Sequence, residues 1–187
     1  MGRVVYSMSV SLDGFMEAPG HDLGWTLVDE ELHRWFNEEA RGQAVFLYGR
    51  RLYELMEASW PTVDADPALP PWMAEFARIW CETPKIVFSR TLEAVAWNSR
   101  LVRGDAVAEI ARLRAETDGE LSIGGARLAA TAIRAGLVDG FRLVVHPVVL
   151  GRGTPFFPAL EAPVGLRLVE TRAFGSGAVL LSYEIGR

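Results

Sequence analysis

Hydrophobic and polar positions along the chain follow two periods, which predict strands that alternate with helices. Each short apolar run ends at a glycine or at polar turn residues, and these runs of strand length occupy residues 4–10, 44–48, 85–88 and 121–123. Apolar residues recur at helical spacing over residues 29–40, 50–58, 71–80, 106–116 and 126–135. This alternation predicts a mainly parallel sheet with helices on both faces.

The C-terminal part of the chain predicts strands without helices between them. The valine-rich residues 141–150 predict one strand, and residues 166–174 and 178–185 flank Gly175-Ser176-Gly177 as an antiparallel hairpin. The proline-rich residues 60–71 predict a surface loop. Since the 187 residues contain no linker and no internal repeat, the whole chain is expected to form a single α/β domain with a mixed sheet.

Composition and charge narrow the classes of function. Half of the residues are hydrophobic and 23% are charged, which predicts a folded globular protein. The net charge of -5 argues against binding to nucleic acid or to an anionic membrane. The lone Cys81 has no metal-type Cys/His spacing around it, so no metal site is expected. With no membrane-length apolar run and no signal-peptide pattern, we expect a cytoplasmic protein.

Two predicted strand-to-helix turns carry residues suited to phosphate. Gly49-Arg50-Arg51 places two cations at the start of a helix, where unpaired N–H groups and the positive end of the dipole favour an anion. Gly124-Gly125, with Arg127 nearby, permits close approach of a pyrophosphate to the backbone and opens a second helix N-terminus. Taken alone, Gly49-Arg50-Arg51 is equally explained by a glycine required for the turn beside solvated arginines, and Gly124-Gly125 is not the GxGxxG fingerprint of dinucleotide sites.

A third strand end supplies polar donors. Ser89-Arg90-Thr91 offers two hydroxyls and a guanidinium, which suit the adenosine 2′-phosphate of NADP. No acidic residue stands there to accept from ribose hydroxyls, which favours NADPH over NADH. The alternative is a helix cap beside an exposed arginine. Three phosphate-suited loops in an acidic chain together favour a dinucleotide site.

Five short motifs follow one another over most of the chain: Ser11-Leu12-Asp13-Gly14-Phe15, Gly49-Arg50-Arg51-Leu52-Tyr53-Glu54, Lys85-Ile86-Val87-Phe88-Ser89-Arg90, Ile123-Gly124-Gly125-Ala126 and Pro147-Val148-Val149-Leu150-Gly151-Arg152-Gly153. Their order and spacing resemble the dihydrofolate reductase-like family, in the branch that contains the C-terminal reductase domain of the riboflavin-biosynthesis deaminase-reductase. The resemblance implies a three-layer α-β-α fold, an NADPH-dependent reductase of a small molecule, and a homodimer. The exposed edge of the C-terminal strands offers an interface for that dimer.

The resemblance also implies which residues bind the cofactor. The cofactor-binding positions are Gly49, Arg50, Arg51, Ser89, Arg90, Gly124, Gly125 and Ala126. Leu52 stands where the family often has threonine, so one hydroxyl contact to the cofactor phosphates is missing.

Hydride transfer also needs a group that supplies or relays a proton, and two carboxylates are candidates. Glu31 is the nearest match to the acid of the folate-reducing relatives, and its alternative role is a first-turn carboxylate that complements the helix dipole. Asp13 lies at the exit of the first strand, and its alternative role is that of an Asp-Gly turn residue.

The sequence is compatible with three functions. The leading one is an NADPH-dependent reductase closest in type to the reductase of the 5-amino-6-(5-phosphoribosylamino)uracil intermediate, acting on a pterin-like or ribosylaminopyrimidine molecule. The absence of a deaminase domain in the sequence is compatible with a separate reductase. The alternatives are a nucleotide-binding module of the same fold without catalysis, and a dihydrofolate reductase.

Overall fold

The computed structural model describes residues 1–63 and 68–186. Its strands are β1 (Arg3–Ser11), β2 (Phe15–Glu17), β3 (Gln43–Gly49), β4 (Lys85–Phe88), β5 (Ser99–Val102), β6 (Glu120–Gly124), β7 (Gly140–His146), β8 (Thr154–Pro155), β9 (Leu166–Ala173) and β10 (Val179–Ile185). Its helices are α1 (Glu30–Arg41), α2 (Arg50–Ser59), α3 (Pro71–Glu82), α4 (Ala106–Glu116) and α5 (Ala126–Arg134).

In the described part of the chain, eight strands form one sheet in the order β5-β4-β3-β6-β1-β7-β10-β9. The pairings from β5 to β7 are parallel, whereas β10 pairs antiparallel with both β7 and β9. The mixed, mainly parallel sheet with a C-terminal antiparallel hairpin is therefore confirmed. Because parallel strands point the same way, the carboxyl ends of β5, β4, β3, β6, β1 and β7 meet at one edge.

Apolar side chains fill both faces of the sheet. Leu47 and Ile123 pack with Ile110 of α4 and Ala129 of α5 on one face. On the other face, one cluster joins α1 to β7 and β10, and a second joins α2 and α3 to β3 and β4. The predicted three layers are thus present, and the buried sheet holds the strand ends in fixed relative positions.

Strand boundaries differ from the predictions in two places. The predicted strand over 141–150 was wrong at its end, because β7 stops at His146 and Pro147, which has no N–H to donate to a ladder, follows it. The sequence analysis did not predict β5, a four-residue strand that pairs with β4 after two residues of positive φ, Trp97 and Asn98. So short a segment carries too little periodicity to be recognised.

A small second sheet also went unpredicted. Its two strands in the described residues, β2 and β8, pair antiparallel beside the carboxyl end of β1. Met16 of β2 is buried, and its sulfur accepts a hydrogen bond from the Tyr6 hydroxyl at 2.8 Å. Since side chains alternate along a strand, burial of Met16 turns its neighbours Phe15 and Glu17 the other way. Gly153 permits the close pairing, because a Cβ there would lie 1.9 Å from the carbonyl oxygen of Glu17.

Two further predictions concern segments outside the sheet. In the predicted loop at 60–71, residues 64–67 lie outside the described residues, and α3 begins at Pro71 as expected. None of the helices in residues 1–63 and 68–186 is both long and apolar enough to cross a bilayer.

Candidate functional site

Two helices begin side by side at the carboxyl edge of the sheet. Because β3 and β6 are paired in parallel, with Tyr48 opposite Gly124, the helices that follow them start next to each other. Gly49 is the N-cap of α2 and Gly125 the N-cap of α5, and among the described residues no side chain caps either helix. The two turns are close enough that a Cβ on Gly125 would lie 4.0 Å from the backbone nitrogen of Gly49. Free N–H groups and two positive dipole ends therefore converge on one point, which favours an anion.

The two glycines of the second turn are required for different reasons. Gly125 has φ +92°, a conformation that L side chains rarely adopt. Gly124 leaves room for Leu52, whose Cδ2 would lie 2.3 Å from a Cβ at that position. Leu52 thus packs over the Gly-Gly turn and offers it no hydroxyl.

Arg51 and Arg127 add two positive charges beside the helix starts. Burial, and then the positive charge of Arg127, hold the pKa of Arg51 below its usual value. Arg51 forms an ion pair with Glu17 of β2. No sequence motif points to Glu17, because Glu17 and Arg51 are distant in sequence.

Arg50 connects the first phosphate-suited loop to the Ser89-Arg90-Thr91 loop. Its Nε donates to Glu54 at 2.8 Å, one helical turn further along α2. Its Nη1 donates to the hydroxyl of Thr91 at 2.7 Å. The structure therefore brings the loops that follow β3 and β4 into direct contact, as expected from their neighbouring strand ends.

A cleft of about 590 Å³ lies at the end of β4 and β5 and is lined by Ser89, Arg90, Arg103, Asp105 and Thr131 together with neighbouring apolar and glycine residues. Ser89 Oγ accepts from the backbone N–H groups of Thr91 and Leu92 at 3.2 and 3.0 Å, which fixes the turn. Arg103 was missed because it follows the unpredicted strand β5, and its guanidinium donates to the carbonyl of Arg90 at 3.2 Å. The cleft combines two guanidinium groups with hydroxyls, and Asp105 in its wall is the N-cap of α4.

The Glu31 carboxylate is bound to the C-terminal hairpin. It accepts from the backbone N–H of Gly175 at 3.0 Å and from Arg172 Nη2 at 3.0 Å. The hydrogen bond from Gly175, followed by that from Arg172, lowers the pKa of Glu31. The ionised Glu31 carboxylate therefore links α1 to the hairpin. Its hydrogen bonds favour the charged form of the carboxylate over the protonated form.

Asp13 holds the loop that follows β7. One of its carboxylate oxygens accepts from the Ser11 hydroxyl at 2.6 Å and from Leu150 N–H at 3.1 Å, and the other accepts from Gly151 N–H at 2.7 Å. The hydrogen bond from Ser11 makes the largest contribution to the lowered pKa of Asp13. Asp13 therefore lies at the edge of the sheet as expected, with both oxygens engaged in fixing the loop.

His146 is a buried imidazole at the same edge that sequence analysis did not single out. Its Nδ1 accepts from the backbone N–H of Leu27 at 3.2 Å, which places the proton on Nε2, 3.2 Å from Ser9 Oγ. Trp25 meets the ring edge-on at 5.6 Å. Burial lowers the pKa of His146, so the ring is neutral near pH 7. The available signal was a histidine at the end of a valine-rich strand.

In the described part of the chain, no group of three or more His, Cys, Asp or Glu side chains converges. The site is instead built from backbone N–H groups, guanidinium groups and hydroxyls. These are the donors that bind phosphate and carboxylate.

The sheet order defines a dihydrofolate reductase-like α/β fold, and comparison with known proteins gives the family of the chain. The model of the RibD C-terminal domain family matches residues 3–180, and the chain belongs to that family. A relative from Bacillus subtilis (strain 168), the uncharacterized protein YyaP, is 32% identical over 184 residues, which cover 97% of this chain and 94% of that protein.

Solved structures show the same fold at lower identity. The diaminohydroxyphosphoribosylaminopyrimidine deaminase/5-amino-6-(5-phosphoribosylamino)uracil reductase of Thermotoga maritima aligns with a TM-score of 0.67 at 15% identity, covering 99% of this chain and 57% of that one. Dihydrofolate reductase from Enterococcus faecalis, complexed with NADP(H) and RAB-propyl, aligns with a TM-score of 0.66 at 19% identity, covering 100% and 98%. Both likenesses establish the fold.

Replacing Gly125 with alanine is expected to lower the free energy of unfolding by about 2 kcal/mol, because alanine is strained at φ +92°. Chemical denaturation followed by tryptophan fluorescence measures the change. Gly104→Ala is the matched control, since Gly104 has open space around it among the described atoms. Equal unfolding free energies for the two variants would contradict the conformational requirement at Gly125.

Proposed function

We propose that the protein is an NADPH-dependent reductase that transfers hydride to a small heteroaromatic molecule. In type it is closest to the 5-amino-6-(5-phosphoribosylamino)uracil reductase of riboflavin biosynthesis, and its substrate is pterin-like or a ribosylaminopyrimidine. One observation carries the proposal: the helix starts of α2 and α5 lie side by side, with Arg51 and Arg127 next to them. Within the described residues, no side chain caps either helix. The uracil reductase activity in the name of the Thermotoga maritima protein and the NADP(H) bound to the Enterococcus faecalis enzyme support it.

In this proposal the cofactor lies along the carboxyl edge of the sheet. Gly49, Arg50 and Arg51 hold its diphosphate from one side, and Gly124, Gly125, Ala126 and Arg127 hold it from the other. Ser89, Arg90 and Arg103 bind the 2′-phosphate in the cleft beside β4 and β5. Bound there, NADPH would supply the hydride, while the protein supplies orientation and the electrostatic complement to the phosphates.

The substrate in this proposal occupies the other half of the same edge, near the ends of β1 and β7. Glu31 and Asp13 remain the proposed sources of the proton. The neutral ring of His146 fixes the position of Leu27 and, through it, the chain that leads into α1. This arrangement gives the substrate half of the edge a defined shape before any ligand binds.

A nucleotide-binding module without catalysis is the second candidate, and one observation favours it. Both Glu31 and Asp13 accept hydrogen bonds from backbone N–H groups that hold loops in place, so neither carboxylate is held in its protonated form. Leu52 in place of a hydroxyl residue points the same way. A reductase oxidises NADPH in the presence of a substrate, whereas the module binds the nucleotide and leaves it unchanged.

Calorimetric titration with NADPH and NADH in a buffer without phosphate tests the cofactor assignment. The native protein is expected to bind NADPH more tightly than NADH. Arg90→Ala should weaken NADPH about tenfold or more and leave NADH nearly unchanged, because a charge-assisted hydrogen bond to the 2′-phosphate is lost. Arg134→Ala, at the far end of α5, removes the same charge as a control. Equal weakening of both nucleotides by Arg90→Ala would remove Arg90 from the 2′-phosphate site.

Turnover at saturating NADPH tests the two carboxylates. Glu31→Gln and Asp13→Asn keep the shape of each side chain and remove its ability to exchange a proton. The variant of the true proton source should lower kcat by about 100-fold, a typical contribution of general acid catalysis, with a smaller change in KM. The riboflavin-pathway intermediate is the first substrate to assay. Unchanged kcat in both variants would exclude both carboxylates from proton transfer.

We further propose that two copies of the chain pair through β9. All eight residues of this edge strand are exposed, and Leu168 and Val169 are 50% and 51% accessible. A long exposed edge strand offers unpaired backbone groups to another strand. Antiparallel pairing of two β9 strands about Thr171 brings Glu170 of each strand opposite Arg172 of the other, so the charges are self-complementary.

Light scattering during size-exclusion chromatography measures this assembly. The native protein should elute with the mass of a dimer, and Thr171→Arg should give a monomer because it places two guanidinium groups directly opposite each other on the symmetry axis. Leu55→Arg, at an exposed apolar position on α2, serves as the control and should stay dimeric. A monomeric native protein over the micromolar range would exclude the β9 dimer.

A further inference from the structure

Glu17 is a carboxylate held inside a site that otherwise attracts anions. It lies on β2, next to the buried Met16, and its side chain is 14% exposed. Besides its ion pair with Arg51, it accepts from the Thr154 hydroxyl at 3.1 Å and lies 3.2 Å from His21 Nδ1. Thr154 belongs to β8 and His21 follows β2 closely in the chain, so contacts within and beside the small β2–β8 sheet hold the Glu17 carboxylate.

The charges around Glu17 belong to the phosphate half of the site. Arg51 is the second residue of α2, whose free N–H groups adjoin those of α5, and Arg127 is the second residue of α5. Arg127 lies near enough to Arg51 for its charge to be felt there. Glu17 therefore supplies a negative charge to Arg51, the guanidinium group that the proposed function assigns to ligand phosphate.

We propose that Glu17 is a built-in counter-ion that competes with ligand phosphate for Arg51, and so sets the affinity of the anion site. A diphosphate that binds between α2 and α5 takes over the guanidinium of Arg51. Glu17 keeps its contact with Thr154 and loses its cationic partner, so part of the binding energy goes into breaking an existing ion pair. The ligand class is a diphosphate-containing nucleotide, and the inference rests on the phosphate site of the proposed function.

Neutralising the carboxylate therefore should tighten binding. Glu17→Gln keeps the side-chain length and the acceptor for Thr154, and it frees Arg51. We expect the Kd of inorganic pyrophosphate and of NADPH to fall about tenfold, as measured by calorimetry at constant ionic strength. Glu116→Gln, on the exposed last turn of α4, makes the same change in net charge and should leave both Kd values within twofold.

A double-mutant cycle shows whether the effect passes through Arg51. In an Arg51→Met background, Glu17→Gln should give no gain in affinity, because the counter-ion then has no cation to neutralise. Glu17→Asp, which keeps the charge, should stay close to the native affinity and provides a second variant should Glu17→Gln be unstable. A gain that persists without Arg51 would overturn the proposal.

The outcomes separate this inference from the proposed function. If Glu17→Gln tightens pyrophosphate while neither protein binds NADPH, the counter-ion stands and the NADPH assignment fails. If the native protein binds NADPH and Glu17→Gln leaves both Kd values unchanged or raises them, the cofactor assignment stands and the counter-ion is excluded. If neither protein binds either probe, both are overturned.

Discussion

The parallel pairing of β3 with β6 is the constraint on which the candidate site depends. It places the two following turns side by side, and each turn starts a helix whose first N–H groups have no partner within the helix. Gly49 and Gly125 cap these helices without a side-chain hydrogen bond from the described residues, so two positive helix ends remain open at one point. Arg51 and Arg127 increase that positive charge in a chain whose net charge is -5. The site is thus positive locally within an acidic protein.

The two halves of the carboxyl edge use polar groups in different ways. Toward β3 and β4, two helix starts have no side-chain cap from the described residues, and the arginines beside them are held by side chains of the protein. Toward β1 and β7, Asp13 and His146 accept hydrogen bonds from backbone N–H groups of neighbouring loops. The hydrogen bonds of the second half therefore hold its loops in fixed positions.

Contacts between residues far apart in sequence account for what the motifs could not show. The loops at Gly49 and Gly124 were found because a glycine, a strand end and a helix start follow one another along the chain. The partners of Arg51 and His146 lie 34 and 119 residues away, at Glu17 and Leu27. The position of Arg103 depends on β5, the strand before it, and β5 is paired with β4. In the same way, the contacts of Glu31 with the C-terminal hairpin depend on the packing of α1 beside that hairpin.

The sequence by itself determined the alternation of strands and helices, the mixed sheet, the C-terminal hairpin and the three phosphate-suited loops. These features depend on periodicity and turn chemistry among neighbouring residues, which any stretch of the chain carries within itself. The tertiary structure alone decided the strand order, the end of β7 at His146, the convergence of two helix starts and the ionic partner of Arg51. Register and side-chain partners depend on how distant segments pack, because burial and hydrogen-bond satisfaction are properties of the assembled sheet and helices.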